Sequence, residues 1–240
     1  PRLVSHLDID GDGLSEIVYA DSWYGPSDTG KVYAFSGASV MAWAEDDGIM
    51  DYSMLLDNDW RIDGRHAYDY VGSQLSGGDT NDDGYDDLMI GAYGDDHPDP
   101  KTGSIFIMNG GAEAPTPIRT AQFDKDVQIY GETLNAQVGR WTAGEVGDVN
   151  GDGANDVVVS SSGTESVHVF FNSSTMGGGT YEALPADISI SGTGESSGFG
   201  IGLALGDVDG DGFHDIAIGA PDETYPGEGA ADSEGHVYIF

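Results

Sequence analysis

Four stretches of the chain carry the same chemistry at the same spacing. They read DIDGDGLSE (8–16), DTNDDGYDD (79–87), DVNGDGAND (148–156) and DVDGDGFHD (207–215). Counted from the first Asp, oxygen-bearing side chains stand at positions 1, 3, 5 and 9. In the four loops these are Asp8, Asp10, Asp12 and Glu16; Asp79, Asn81, Asp83 and Asp87; Asp148, Asn150, Asp152 and Asp156; Asp207, Asp209, Asp211 and Asp215. Position 7 can add a backbone carbonyl, from Leu14, Tyr85, Ala154 or Phe213. Glycine at position 6 (Gly13, Gly84, Gly153, Gly212) permits the sharp turn that brings the oxygens inward. Hard oxygens on a short flexible loop suit Ca²⁺ better than Mg²⁺, which demands a stricter octahedron and keeps its waters. Zinc is a poor match, because the chain has no Cys and its six His are scattered. Four carboxylate clusters without a cation would repel themselves by roughly several kcal/mol each at an effective dielectric of about 20. The expectation is about four Ca²⁺ sites.

An EF-hand loop also opens D-x-D-x-D-G, but it requires a bidentate Glu at position 12 and flanking helices. Position 12 here is Tyr19, Ile90, Val159 or Ile218. Each of these sits in an apolar, strand-like run.

What must position the loops is a repeat. An apolar run follows each loop: IVYA, LMIGA, VVVSS and IAIGAP. A second β-rich run comes next: GKVYAF (30–35), GSIFIM (103–108), SVHVFF (166–171) and GHVYIF (235–240). A third run ends in glycine: WRIDG (60–64), VQIYG (127–131) and ISISG (188–192). Seven residues after that glycine stands Val71, Val138 or Phe199, each followed by another glycine that opens the next unit. Four short antiparallel strands per unit at this period predict an all-β chain of β-propeller blades. The alternation Val32/Ala34, Ile105/Ile107, Val167/Val169 and Val237/Ile239 suits strands packed between neighbouring blades. We read residues 1–240 as one propeller segment with approximate units 1–70, 71–137, 138–198 and 199–240.

The composition agrees. Glycine is abundant at 38 residues, and few segments show helical periodicity. A formal charge of −35, from 43 acids against 8 bases, makes nucleic acid a poor partner. It calls for bound cations or a high-salt setting. No apolar run is long enough to span a membrane. The absence of Cys excludes a disulfide framework and thiol chemistry but is compatible with secretion. Pro1 is not a natural first residue, so the chain is expected to be a mature or trimmed product.

Signals for catalysis are thin. GESSG (194–198) fits G-x-S-x-G around Ser196, but no helix is expected after it. GFGIG (198–202) lacks the helix of a dinucleotide site. The acid pairs Asp46/Asp47 and Asp95/Asp96 read as solvated loop charge. Asn172-Ser173-Ser174 is a formal glycosylation sequon. No catalytic residue is assigned, and the chain is expected not to be an enzyme.

With these motifs in view, the units resemble the FG-GAP repeat of the α-integrin-type β-propeller. The FG is Phe199-Gly200, with Val71-Gly72 and Val138-Gly139 as weaker copies. The GAP is Gly219-Ala220-Pro221, echoed by Gly91-Ala92-Tyr93 and replaced in the third unit by Ser160, Ser161 and Ser162. The resemblance implies a toroidal propeller holding Ca²⁺ in its strand 1–strand 2 hairpins. It also implies an extracellular or cell-surface, secreted setting. Such rings usually have seven blades, whereas four units are visible here, and Phe240 precedes any outer strand of the last unit. The chain is then a fragment, a ring completed by a strand from another chain, or an open array. Strand exchange would give a homo-oligomer or filament.

Strand 2–3 and 4–1 connections should share the face opposite the acidic hairpins. They carry Trp23, Tyr24, Arg65, His66, Tyr68, Tyr93, His97, Tyr225 and Glu228. Of these, Trp23, Tyr24, Arg65, Tyr68, Tyr93 and Tyr225 are the candidate partner-binding residues. The expected function is a non-enzymatic, calcium-binding adhesion or surface-assembly module acting through protein–protein contacts. The alternative is a carbohydrate-binding propeller, a lectin or the accessory module of a polysaccharide-active enzyme. The partner is accordingly a protein or a glycan at the cell surface.

Overall fold

The structure is a computed structural model that describes residues 2–25, 27–46, 60–96, 102–112, 118–131, 133–175, 179–182, 186–192, 197–223 and 235–240. Its strands form four sheets. The first contains β1 (Arg2–Leu7), β2 (Glu16–Asp21), β3 (Lys31–Phe35) and β4 (Trp60–Asp63), with helix α1 (Gly37–Asp46) between β3 and β4. In the second lie β5 (Leu75–Gly78), β6 (Asp87–Ala92), β7 (Ser104–Met108) and β9 (Val127–Tyr130). Between β7 and β9 come β8 (Ile118–Thr120) and the short helix α2 (Ala121–Asp124). The third holds β10 (Glu145–Gly147), β11 (Asp156–Ser161), β12 (Ser166–Phe170) and β14 (Ile188–Ser191), with β13 (Gly179–Glu182) between the last two. The fourth shows β15 (Gly202–Gly206), β16 (Asp215–Ala220) and β17 (His236–Ile239).

Within each sheet these strands pair antiparallel in chain order, as in Val18↔Ala34, Ile90↔Phe106 and Val158↔Val169. The innermost strands β1, β5, β10 and β15 lie side by side in that sequence. This is a β-propeller whose ring is not closed by the described residues.

The core explains the sequence pattern. It divides into three apolar clusters, one at each join between successive sheets. Val18, Ala20, Val32 and Ile62 of the first sheet meet Leu88, Ile90 and Phe106 of the second. Met89, Ile105, Ile107 and Ile129 turn the other way and meet Val157 and Val159. Val158, Val167 and Val169 in turn meet Phe199, Ile216 and Ile218. Neighbouring residues of one strand serve opposite clusters, so middle strands such as β7 and β12 are buried along their whole length. Each fully buried aliphatic side chain contributes about 1.5–3 kcal/mol.

In the last sheet Val237 and Ile239 are 70% and 57% exposed, contrary to the expectation that they pack between blades. No following sheet covers them among the described residues.

Two features were not anticipated. The strand 3–4 connection is helical in the first sheet. In the second and third it carries an extra strand that reaches back to the preceding sheet. There β8 runs parallel to β4 (Ile62↔Arg119) and β13 parallel to β9 (Ile129↔Tyr181). These strands cover edges that would otherwise expose unpaired backbone groups. They raise the first and second sheets to five strands.

The glycines after Val71, Val138 and Phe199 lie at the joins. Gly72 has φ +83° and a Cβ there would sit 2.6 Å from the Ala20 Cβ. Gly139 has φ +75°, and its Cβ would meet the Ser104 carbonyl oxygen at 2.5 Å. Only glycine combines that backbone with so close an approach.

Candidate metal centres and the opposite face

The four acidic stretches form the β1–β2, β5–β6, β10–β11 and β15–β16 hairpins. All four share one hydrogen-bond lattice. The position 6 N–H donates to the position 1 carboxylate: Gly13 to Asp8, Gly84 to Asp79, Gly153 to Asp148, Gly212 to Asp207, at 2.9–3.1 Å. The position 5 N–H donates to the position 3 side-chain oxygen, on Asp10, Asn81, Asn150 or Asp209. The position 7 N–H donates to the position 5 carboxylate, on Asp12, Asp83, Asp152 or Asp211. Positions 4 and 6 are both left-handed in every copy. The sequence suggested this at position 6. At position 4 it includes a non-glycine, Asp82, at φ +57°.

Position 9 anchors each hairpin. Its carboxylate accepts the position 2 N–H: Ile9 to Glu16, Thr80 to Asp87, Val149 to Asp156, Val208 to Asp215. In the first three sheets its other oxygen accepts an N–H from the residues after the third strand, Gly37, Gly110 or Asn172. Glu16, Asp87 and Asp156 are buried. Burial pushes the Glu16 and Asp156 carboxyls up and lifts Asp87 to about 6, against the opposing pull of these hydrogen bonds.

Side-chain oxygens of positions 1, 3 and 9 converge in the first and last loops, with the position 5 carboxylates Asp12 and Asp211 outside both groups. In the first loop, carboxylate oxygens of Asp8, Asp10 and Glu16 all lie within 4.8 Å of one another, and in the last those of Asp207, Asp209 and Asp215 do. Asp8 Oδ1 is buried with no hydrogen-bond partner. An acceptor in that state is costly unless a cation meets it. The donor set therefore fits a hard divalent ion.

Successive hairpins also interlock. The Asp86 N–H donates to the Asp8 carbonyl, and Asp86 Oδ2 accepts the Asp8 N–H at 2.8 Å. Asn155 Nδ2 donates to the Asp79 carbonyl at 2.8 Å, and the His214 N–H to the Asp148 carbonyl at 2.8 Å. Each loop's position 8 thus grips position 1 of the loop before it.

Strand 2–3 and 4–1 connections occupy the other end of the sheets, as expected from an antiparallel meander. Trp23, Tyr68 and Tyr93 converge there, joined by Tyr70, which was not anticipated. Tyr70 stacks on Tyr93 with centroids 4.7 Å apart and planes 6° from parallel, and Trp23 meets Tyr70 edge-on at 5.2 Å. Tyr24 lies under the Lys31 ammonium, 4.1 Å from its ring centroid. Arg65 is exposed on the connection that carries Tyr68. Tyr225, His97, Glu228, Asp47 and Ser196 lie outside the described residues.

The structure adds Arg2, Arg140 and Trp141 to this face. The Arg140 guanidinium lies 5.6 Å from the Tyr93 centroid and 5.1 Å from that of Trp141. Burial and Tyr70 push the Tyr93 hydroxyl up, with Arg140 acting oppositely. A basic-aromatic dipeptide directly after Val138-Gly139 was the available sequence signal for Arg140 and Trp141.

Asp95, for which the sequence predicts solvated loop charge, is instead completely buried, its carboxylate accepting from Ser104 Oγ at 2.5 Å and from Gln128 Nε2 at 3.1 Å. The β6–β7 connection folds inward there because these two polar partners await it. Asp96 beside it is exposed. Among the described residues, no helix is long and apolar enough to cross a membrane.

The FG-GAP repeat profile matches residues 71–108 and 199–240, and an FG-GAP-like repeat profile matches 148–218. Integrin alpha pat-2 of Caenorhabditis briggsae is 29% identical over 236 residues, covering 89% of this chain and 17% of that protein. Integrin alpha-PS5 of Drosophila melanogaster is 30% identical over 167 residues, covering 66% of this chain and 16% of its own. Phosphatidylinositol-glycan-specific phospholipase D of Rattus norvegicus is 32% identical over 165 residues, with coverages of 64% and 19%. The chain thus spans less than a fifth of the length of these relatives. Among solved structures, rhamnogalacturonan lyase YesW aligns over 90% of this chain and 39% of its own, with a TM-score of 0.45 and 15% identity. With its repeated acidic hairpins, its glycine joins and these matches, the chain belongs to the FG-GAP repeat family of α-integrin type.

Proposed function

We propose that this chain is a non-enzymatic, calcium-stabilised propeller segment that serves adhesion or surface assembly through protein–protein contacts. The observation that carries the reading is the fourfold acidic hairpin, with its common lattice of N–H donors and the partnerless Asp8 Oδ1. Calcium would be held by positions 1, 3, 5 and 9 of each loop, with the position 7 carbonyls of Leu14, Tyr85, Ala154 and Phe213 as further donors. The ion supplies positive charge and cross-linking rather than catalysis.

The chain's own residues do the rest. Buried position 9 carboxylates tie the first three hairpins to their strand 3–4 connections, and the position 8 contacts tie one hairpin to the next. A rigid lower rim would then hold the aromatic face in a fixed shape for a partner. Relatives named as integrin α chains support an adhesion role and a cell-surface or secreted setting. The phospholipase D relative matches over 64% of this chain. Calorimetric titration of chelator-treated protein with CaCl₂ tests the reading. Saturable uptake with a rise in thermal stability is expected, and no heat above that of dilution overturns it.

A further inference from the structure

The recess bounded by Arg2, Trp23, Tyr93, Arg140 and Trp141 measures about 400 Å³. Among the described residues it has no acidic lining residue. That is exceptional in a chain with 43 acids and 8 bases, two of which meet here. We propose that this recess binds a hexuronate unit, a sugar bearing one carboxylate, at the end of an otherwise neutral saccharide. The inference goes beyond the protein-contact reading above and takes from it only that this is the partner face.

Both guanidiniums are positioned before any ligand arrives. Arg2 Nε donates to the Ser73 carbonyl at 2.9 Å, and Arg140 Nη1 to Gln137 Oε1 at 2.5 Å. A guanidinium has five N–H donors in a planar fork, so each keeps donors that match a carboxylate. Trp23 and Trp141 are 63% and 42% exposed, large apolar rings at the edge of the recess. The flat C–H face of a pyranose covers such a ring while its hydroxyls stay wet. The volume lies within the range of small-molecule sites, roughly 300–1,000 Å³.

The connections are also held stiff. Tyr68 and Tyr70 have φ of 68° and 55°, and their equivalents in the next unit, Asn135 and Gln137, have 65° and 56°. Left-handed conformations at four non-glycine residues cost about 1 kcal/mol or more each and persist only where the surroundings dictate them. The Tyr68 N–H donates to the Ser27 carbonyl at 2.7 Å and the Tyr70 N–H to the Asp28 carbonyl at 3.2 Å, lacing two connections together. A preformed recess loses little entropy on binding.

Charge selects the form of the ligand. A net −35 repels polyanions, and Asp96 lines the adjoining recess of about 570 Å³, on the far side of Tyr93 and Arg140. A single carboxylate on a neutral chain meets Arg2 and Arg140, which line the same recess. An acidic peptide would bring several carboxylates and no flat C–H face.

The test is titration of the full chain in CaCl₂ with cellobiouronic acid and with cellobiose, which differ by one carboxylate. The galacturonosyl pair is run alongside, with a Glu-rich tetrapeptide as competitor. Binding is followed by tryptophan fluorescence and calorimetry. We expect saturable binding of a uronate disaccharide, at least about tenfold tighter than its neutral match. Arg140→Gln should lose about tenfold with an unchanged melting temperature, and Trp23→Ala a similar factor; Arg140→Lys should fall between. Equal affinity for acid and neutral sugars, no binding of either uronate, or tighter binding of the peptide overturns the inference. A melt in the same samples separates the two readings. Calcium stabilisation without uronate binding sinks this inference alone, and uronate binding without calcium stabilisation sinks the calcium reading alone.

Discussion

The ring of Tyr85 lies across Gly11, the position 4 residue of the preceding acidic hairpin. A Cβ on Gly11 would stand 2.5 Å from Tyr85 Cε1. Phe213 covers Gly151 in the same way, 2.4 Å from the corresponding point. Where position 4 is Asp82, the next hairpin carries the small Ala154 instead. Ring and glycine thus alternate with small residue and aspartate along the rim. Gly11→Ala should therefore cost about 2–3 kcal/mol, from a left-handed φ of +72° plus the displaced ring. Gly13→Ala, at φ +85° with nothing within 4 Å, should cost only about 1 kcal/mol. Urea unfolding of the two variants measures the difference, and equal midpoints would disprove the packing role of Tyr85.

Chelation should lower the melting temperature. A ligand that binds only the folded state at about a hundredfold its dissociation constant stabilises by about 2.7 kcal/mol per site. Asp209→Ala should remove one calorimetric equivalent of Ca²⁺ and leave the others. A variant with the parent stoichiometry would show that Asp209 is not a ligand.

Burial alone lifts the Glu145 carboxyl on β10 to about 7 from an ordinary 4.5. With the folded pKa raised, the contribution to stability is complete below pH 4.5 and is lost as pH rises through 7. Over that window the unfolded chain has released its proton while the folded protein still holds it. Glu145→Gln removes the loss. After allowance for its solvent-facing part, the variant should gain about 1–2 kcal/mol at pH 8 and nothing at pH 4. Urea midpoints across pH check this, and a gain that persists at pH 4 would contradict it.

Asp95→Ala should destabilise by about 2–4 kcal/mol, because Ser104 and Gln128 lose a buried charged acceptor. The exposed neighbour Asp96→Ala should stay within about 0.5 kcal/mol. Thermal melts of the pair suffice. Similar values would return Asp95 to the solvated role that its sequence context suggested.

The acidic hairpins and their strands were legible because their defining interactions are local. The bonds from Gly13 to Asp8 and from Ile9 to Glu16 span five and seven residues, so residue type and spacing encode them directly. Repetition of the same loop-and-strand order then specified blades, and the apolar runs specified strands buried on both faces. Tertiary structure alone decided the rest. Trp23, Tyr70, Tyr93 and Arg140 come from four connections with no common spacing, and they meet only because three sheets pack at fixed angles. The reach of β8 and β13 to preceding sheets and the inward turn of Asp95 likewise depend on partners far along the chain. Local hydrogen bonds leave a signature in spacing, whereas contacts made by docking one finished blade on another leave none.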